Sequence, residues 1–160
     1  MVNEKMVNGV VYIVNGPNLN LLGKRNTAVY GTETMESVLV DIQRAYPDLH
    51  LQYRQSNHEG ALIDILQQVA DDNEKQIGTV FGVVLNAGGY THTGVALRDA
   101  VEYVREQGVP VVEVHVSDIS QREDFRKVSL LTDVCSKTIM GHGVTGYREA
   151  VEFILSRMSE

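Results

Sequence analysis

The sequence predicts a three-layer α/β sandwich, in which helices cover both faces of a five-stranded parallel sheet. Short runs rich in valine and isoleucine alternate with longer segments whose apolar residues have helical spacing. The middle runs are apolar almost without interruption, as in strands that are buried on both faces. This alternation favours right-handed crossovers between parallel strands. The expected strand order is 2-1-3-4-5, the flavodoxin-like arrangement.

Five apolar runs predict the strands, and four amphipathic segments predict the helices. The strands are VVYIV (10–14), LHLQYR (49–54), TVFGVVLN (79–86), VPVVEVHV (109–116) and the weaker SKTIMG (136–141). The helical faces are Met35, Val38, Leu39, Ile42 and Ala45; Leu62, Ile63, Leu66, Val69 and Ala70; Val95, Leu97, Val101 and Val104; and Tyr147, Ala150, Val151 and Ile154. Pro47 is expected to end the first helix, and Gly108 with Pro110 the third.

The composition limits the domain organisation and the kinds of partner. The 160 residues contain no repeat or linker, so one domain over 1–160 is expected, with residues 1–9 as a loose N-terminal extension. The net charge of −7 argues against nucleic acid or an anionic membrane as the main partner. The single cysteine, Cys135, excludes an internal disulfide framework. No apolar run reaches the ~20 residues of a membrane span and the start lacks a secretory apolar core, so a cytoplasmic location is expected.

The loops that follow the strands are dense in polar side chains. They are 15–32, 55–60, 86–93 and 115–126. Because ligands of an open parallel sheet bind beyond the carboxyl ends of its strands, these loops predict a site for a polyhydroxylated ligand. A protein without such a site would carry one or two of these loops by chance, since Gly, Asn and Asp also serve turns.

The loop 15–32 predicts a hinged flap. It is longer than the ~2–6 residues usual between a strand and a helix. Gly23 and Gly31 bracket Arg25 and Tyr30 within it. A cation within reach of a phenol favours its anionic form, so Arg25 can stabilise a phenolate at Tyr30. The alternative is that Tyr30 packs on the surface and Arg25 is solvated.

A second cluster follows the fourth strand. His115 ends that run, and Glu113 lies two residues earlier on the same strand face, where its carboxylate can orient the imidazole. The next residues resemble a helix start with Ser120 as candidate N-cap, and free N–H groups at such a start bind anions. Arg122 and Arg126, four residues apart, would then share a helical face. This corner would suit a substrate that carries a carboxylate.

Two other signals do not predict a site. GHGVTG (141–146) matches GxGxxG, but only 14 residues follow it, too few for the strand and acidic residue of a dinucleotide fingerprint. We therefore expect a tight turn there. His58, His92 and His115 lack ligand spacing, so no metal site is expected.

Five motifs together resemble the type II 3-dehydroquinate dehydratases in order and spacing. They are NGPNLNLLGKR…VYG, RQSNHEGALID, LNAGGYTHTGVALRDA, VPVVEVHVSDISQREDFR and GHGVTGY, within about residues 10–155. The resemblance implies the flavodoxin-like fold and a reversible anti elimination of water from 3-dehydroquinate, through an enolate, to 3-dehydroshikimate. It implies a catalytic domain that works without metal or cofactor. It also implies self-association as a homododecamer, a tetramer of trimers.

The resemblance further implies a role for each matched residue. Tyr30 is the general base, Arg25 is the lid arginine that keeps it ionised, and Asn18 supports the enolate. His115 is the general acid, with Glu113 as its orienting partner. The other matched positions contact the substrate: Ser117 and the backbone of Val116 at its carboxylate, Asn86, His92 and Arg126 at its hydroxyls, and Asp99 from the adjacent subunit.

Some questions stay open at this stage. Asn26-Thr27, Ser129-Leu130-Leu131 and His142 depart from the family pattern, although none removes a matched catalytic group. The same reaction could serve the shikimate pathway, in chorismate and aromatic amino acid biosynthesis, or quinate catabolism. From another class, a flavodoxin-like module that binds a nucleotide or flavin is the alternative. Such a module would need a phosphate cradle where the first loop reads NGPNLN.

Overall fold

The computed structural model describes residues 9–158 and builds them around a five-stranded parallel sheet. The strands are β1 (Val10–Asn15), β2 (His50–Gln55), β3 (Val80–Asn86), β4 (Val111–His115) and β5 (Lys137–Met140). Their order is β2-β1-β3-β4-β5, and all neighbouring pairs are parallel. The predicted fold class and strand order are therefore confirmed.

Helices cover both faces of this sheet, as the alternating pattern predicts. In the described part of the chain they are α1 (Thr27–Tyr30), α2 (Met35–Ala45), α3 (Glu59–Lys75), α4 (Val95–Glu106) and α5 (Thr145–Met158). Successive side chains of a strand point to opposite faces. In β1, Tyr12 and Val14 accordingly pack with α3 and α4, whereas Val11 and Ile13 pack with α2 and α5. Both faces of the central strands are thus buried.

The helix ends agree with the capping and helix-terminating residues of the sequence. Thr34 caps α2, because its Oγ1 accepts a hydrogen bond from the Ser37 N–H at 3.2 Å. The helix ends at Ala45, before Pro47. The third predicted helix, α4, ends ahead of Gly108, whose φ of 87° lies in the left-handed region.

The segment after β4 differs from the expected helix start. It forms two 3-10 turns, Ile119–Gln121 and Asp124–Arg126. Asp118, rather than Ser120, supplies the cap, because its Oδ1 accepts hydrogen bonds from the Ser120 N–H (2.9 Å) and hydroxyl (2.6 Å). This local turn provides a hydrogen-bond partner for a backbone N–H that would otherwise be free at the start of a helix. The predicted helical N-terminus and the helical face shared by the two arginines are therefore absent from this segment.

The N-terminal boundary also needs a correction. Gly9, which the sequence assigns to a loose extension, is buried, and its carbonyl accepts a hydrogen bond from the His50 N–H at 3.1 Å. A Cβ at this position would lie 2.0 Å from the Phe81 ring, so Gly9 packs tightly beside β3. Residues 1–8 of the predicted extension lie outside the described residues. No helix within 9–158 has the length and apolar character needed to cross a membrane.

Candidate active site

A polar cleft of about 400 Å³ lies beyond the ends of β1, β3 and β4. The carboxyl ends of parallel strands meet at this edge, where the sequence predicts a site. The cleft brings together most of the matched residues: Asn18, Arg25, Tyr30, Asn86, His92, His115, Val116, Ser117 and Arg126. Glu113 is reached through His115 instead of lining the cleft, and Asp99 is exposed on α4.

His115 and Glu113 form a buried pair at the end of β4. The two side chains lie on the same face of the strand because they are two residues apart. The His115 Nε2 lies 2.7 Å from the Glu113 Oε2, and the residues are only 6% and 1% exposed. Since Nε2 is engaged by the carboxylate, Nδ1 is the ring nitrogen left for a ligand.

Three hydroxyl groups surround the Glu113 carboxylate. Thr132 and Thr138 donate to Oε1 at 2.7 and 2.8 Å, and Ser129 donates to Oε2 at 2.5 Å. Burial raises the pKa of Glu113, but the hydrogen bond and charge of His115 and the hydroxyls of Ser129 and Thr132 outweigh it and lower the pKa to about 2. Glu113 is therefore a carboxylate throughout the physiological pH range.

Two guanidinium groups flank the phenol of Tyr30, the last residue of α1. The Arg25 guanidinium lies 5.3 Å from the ring centroid, and that of Arg122 lies 5.6 Å from it. The Arg122 Nη1 also donates a hydrogen bond to the Tyr30 hydroxyl at 3.2 Å and to the Ser117 hydroxyl at 3.1 Å. The sequence assigns Arg122 only to a corner for the substrate carboxylate, so its contact with the phenol is new.

The loop that carries Tyr30 is bounded by the two glycines of the predicted flap. Gly23 has φ 88° and Gly31 has φ 79°, both in the left-handed region that favours glycine. A Cβ on Gly23 would also approach the Thr32 carbonyl oxygen to 2.8 Å. Thr27, one of the departures from the family pattern, is the first residue of α1, and Asn26 before it has φ 42°. Motion of this flap stays a prediction.

Asn86 is held by a buried polar chain behind the cleft. Its Nδ2 donates to the Tyr147 hydroxyl at 2.9 Å, and that hydroxyl donates to the Asn15 Oδ1, also at 2.9 Å. The Asn86 Oδ1 accepts the Gly88 N–H at 3.2 Å. The sequence places Tyr147 on a core face without a polar role, although a buried tyrosine hydroxyl usually has a partner.

Three other predicted ligand contacts are arranged as follows. His92 Nδ1 donates to the Val128 carbonyl at 2.8 Å, so its Nε2 is left for a ligand. Arg126 forms an ion pair with Glu123 at 2.6 Å. Asn18 has φ 68° and its backbone N–H donates to the Asn57 Oδ1 at 3.0 Å, which fixes the turn after β1.

A second cleft, of about 430 Å³, lies between α2 and α5 but contains none of the matched residues. The polar cleft at the sheet edge, which contains most of them, is therefore the candidate active site. Within residues 9–158, no group of three or more His, Cys, Asp and Glu side chains is arranged to hold a metal ion.

Comparisons with known proteins agree with one another. The family model described as "Dehydroquinase class II" matches residues 9–155. A 3-dehydroquinate dehydratase of Acidovorax ebreus is 47% identical over 89% of this chain and 94% of its own length. One from an Exiguobacterium species is 43% identical over 91% of this chain and 93% of its own. The crystal structure of a type II dehydroquinase from Butyrivibrio crossotus superimposes with a TM-score of 0.83 at 36% identity, covering 92% and 97% of the two chains.

Proposed function

Since this chain belongs to the class II dehydroquinase family, we propose that Tyr30 and His115 are the base and the acid of its reaction. The chain is a lyase that dehydrates 3-dehydroquinate to 3-dehydroshikimate, and the usual role of that reaction is in the shikimate pathway. The observation that carries the proposal is that both side chains line one cleft, each with a charged supporting partner.

Tyr30 removes the proton from the carbon next to the substrate ketone. The phenolate oxygen forms a bond to this proton, and the C–H electron pair passes into the enolate. Positive charge on Arg122, which is hydrogen-bonded to the oxygen, and on Arg25, beside the ring, stabilises the negative charge that the base must carry. Asn18, in the same cleft, supports the enolate oxygen.

His115 then protonates the departing hydroxyl. The carbon–oxygen bond breaks as the enolate collapses to the conjugated enone, and the proton from His115 converts the hydroxyl into water. Because Nε2 is bound to Glu113, the proton is delivered from Nδ1. Proton exchange with solvent afterwards restores the phenolate and the imidazolium.

The other cleft residues bind the substrate. Ser117 and the backbone of Val116 bind its carboxylate, beside the Arg122 guanidinium. The Nε2 of His92, with Asn86 and Arg126, binds its hydroxyls. This arrangement requires neither a cofactor nor a metal.

We further propose that neighbouring copies of the chain complete the site. Asp99 is exposed and outside the cleft of its own subunit, which suits a contact in the cleft of an adjacent subunit. The expected assembly is a homododecamer, a tetramer of trimers. The cytoplasmic location and the single domain over 1–160 also stay predictions, as does the choice between biosynthesis and quinate breakdown. Membership of the dehydroquinase family does not favour the nucleotide- or flavin-binding alternative.

Two substitutions test the roles of the base and the acid. We expect Tyr30→Phe and His115→Ala each to lower kcat by at least ~10²-fold, because each removes a proton-transfer group. The measurement is the absorbance rise of the conjugated product after 3-dehydroquinate is added to chelator-treated protein. Tyr46→Phe and His50→Ala, at sites away from the cleft, are the matched controls and should keep full activity. Near-normal turnover of Tyr30→Phe would remove the tyrosine from the base role.

A further inference from the structure

We propose that Ser129, Thr132 and Thr138 are positioning residues, which direct Glu113 so that His115 releases its proton only from Nδ1. The proposal rests on the proposed function, in which His115 is the general acid. It extends the site to three hydroxyls that do not line the cleft and that reach His115 only through Glu113.

The geometry uses the whole hydrogen-bonding capacity of the carboxylate. An ionised carboxylate accepts about four hydrogen bonds, two on each oxygen. Oε1 receives both threonine hydroxyls, and Oε2 receives the Ser129 hydroxyl and the His115 Nε2. With every acceptor direction occupied and 1% of the residue exposed, the carboxylate has no vacant site at which to compete for a proton.

The direction of the serine bond is fixed by its second contact. The Leu131 N–H donates to the Ser129 Oγ at 3.0 Å, so the serine uses its own hydrogen toward Glu113. The imidazole must then also donate, because the ionised carboxylate is only an acceptor. The Nε2–H bond is thus specified by atoms outside the cleft, and the exchangeable proton is left on Nδ1.

The three hydroxyls come from separate parts of the chain. Thr138 lies in β5, and Ser129 and Thr132 lie in the connection between the 3-10 turn Asp124–Arg126 and β5. A purely structural role is the competing explanation, because any buried carboxylate needs partners. The two explanations differ in one respect: only a positioning role changes the acidity of His115 while substrate affinity is kept.

Few other titratable groups face this pair. Burial and the negative charge of Glu113 together raise the pKa of the Cys135 thiol to about 12, so the thiol is neutral over the working pH range. The titratable side chains that line the cleft beside His115 are Tyr30, His92, Glu123, Arg25, Arg122 and Arg126. These groups line the cleft. Substitution of the hydroxyl residues that contact Glu113 leaves them unchanged.

The test is the kcat–pH profile of Thr138→Val, which replaces a hydroxyl by a methyl of similar size. With one donor lost, Glu113 attracts the imidazolium more strongly, so His115 becomes a weaker acid. We expect kcat to fall roughly tenfold, as for a lost hydrogen bond to a charged group, with KM changed less than roughly twofold. The alkaline limb of the profile should move to higher pH by roughly half a unit or more.

Two controls separate chemistry from packing. Thr138→Ser keeps the hydroxyl and should restore kcat and the alkaline limb to wild-type values. Thr79→Val removes a different threonine hydroxyl, which donates to the Gln76 carbonyl at 2.7 Å away from the site, and should leave the profile unchanged. If Thr138→Val is poorly folded by circular dichroism, Thr132→Val removes the other donor to Oε1 and is expected to give the same shift.

The outcomes distinguish this inference from the function on which it rests. If His115→Ala is inactive but both threonine variants keep a wild-type profile, the positioning role is wrong and the acid assignment stands. If Thr138→Ser loses as much activity as Thr138→Val, the residue acts through volume and the proposal is overturned. If His115→Ala keeps its activity, the acid assignment itself fails.

Discussion

Ionisation of the Glu113 carboxylate contributes to the stability of the folded protein. Burial raises the pKa of this group, but the hydrogen bond and charge of His115 and the hydroxyls of Ser129 and Thr132 lower it from the ordinary value of 4.5 to about 2. A group with a depressed pKa stabilises the fold above its unfolded pKa, and this contribution is lost as the pH falls toward the folded value. For Glu113 the loss falls between about pH 4.5 and pH 2 and amounts to about 3 kcal/mol.

We therefore expect Glu113→Gln to flatten the acid dependence of stability. The variant should be less stable than wild type near neutral pH, because an amide cannot accept from all four donors. Between pH 5 and pH 2.5 its free energy of unfolding should change by about 2 kcal/mol less than that of wild type. Urea unfolding at fixed protein concentration measures this difference. Glu149→Gln, at the exposed pair with His142, should retain the wild-type dependence; an equal slope in both variants would contradict the assignment.

The sequence could predict the cleft residues but not all of their supports. Tyr30 and His115 follow from loop position and motif, since strand ends converge in a parallel sheet. The hydroxyl of Thr138 lies 25 residues from Glu113 and meets it only through the pairing of β5 with β4. Serine and threonine are common in loops, so no local pattern marks them as partners of a carboxylate. The contact of Arg122 with Tyr30 could not be predicted either, because the two residues are 92 positions apart in the sequence.

At the scale of elements, the flap between β1 and α2 contains the short helix α1. The residue after this helix has a backbone conformation that only glycine readily adopts. Gly31 follows α1 directly, with φ 79° and ψ −179°. This region is essentially closed to residues with a Cβ and costs them of order 1–3 kcal/mol. Tyr30 is the preceding residue, so relief of such strain would displace the phenol.

Gly31→Ala is expected to lower kcat roughly tenfold, because a small displacement of a catalytic group has a large effect on rate. No atom lies within 4 Å of the added Cβ, so the effect would come from the backbone alone. Gly78→Ala is the matched control: it also has positive φ and open space, but lies in the turn between α3 and β3. Steady-state kinetics of both variants provide the check, and equal kcat values would argue against a positioning role for the flap hinge.

Element types were predictable where the pattern was periodic and were misjudged where a single side chain decides. The five strands and the four long helices follow from apolar runs and helical spacing. The segment after β4 carries Ser and Asp at places where a helix could start, but the Asp118 side chain closes a short turn first. Whether this segment begins a helix or forms a short turn depends on one side-chain hydrogen bond. The spacing of residues in the sequence does not predict that bond.

At the scale of the molecule, helices bury both faces of the central strands. Polar side chains that contact a ligand can therefore lie only at the strand ends. The central strand β3 is buried along all seven residues and ends at Asn86, in the cleft. Strand order was predictable because the alternation of strands and helices favours few topologies. The proposed role of Asp99 in an adjacent subunit comes from the family resemblance alone, because on its own helix Asp99 has the pattern of an ordinary exposed residue.

The proposed sharing of sites between subunits predicts that activity depends on which variant subunits are mixed. We expect Asp99→Ala to fold and assemble normally yet lose at least ~10-fold in kcat/KM, because a substrate contact is removed. Co-expression with Tyr30→Phe should restore activity, since about a quarter of the sites then combine an intact Tyr30 with an intact Asp99 from a neighbour. The measurement is the specific activity of the purified mixture against the two separate variants. If the mixture shows only their average, Asp99 does not act across subunits.

The single sulfhydryl of the chain, Cys135, is buried within range of the Glu113 charge and is protonated at neutral pH, a state in which thiols barely react with electrophiles. We therefore expect the native chain to react only slowly with maleimide reagents. A cysteine introduced on the exposed part of the flap, as in Lys24→Cys, can carry a fluorophore at one defined place in each subunit. The protein thus offers an optical reporter of flap position without first removing a native residue.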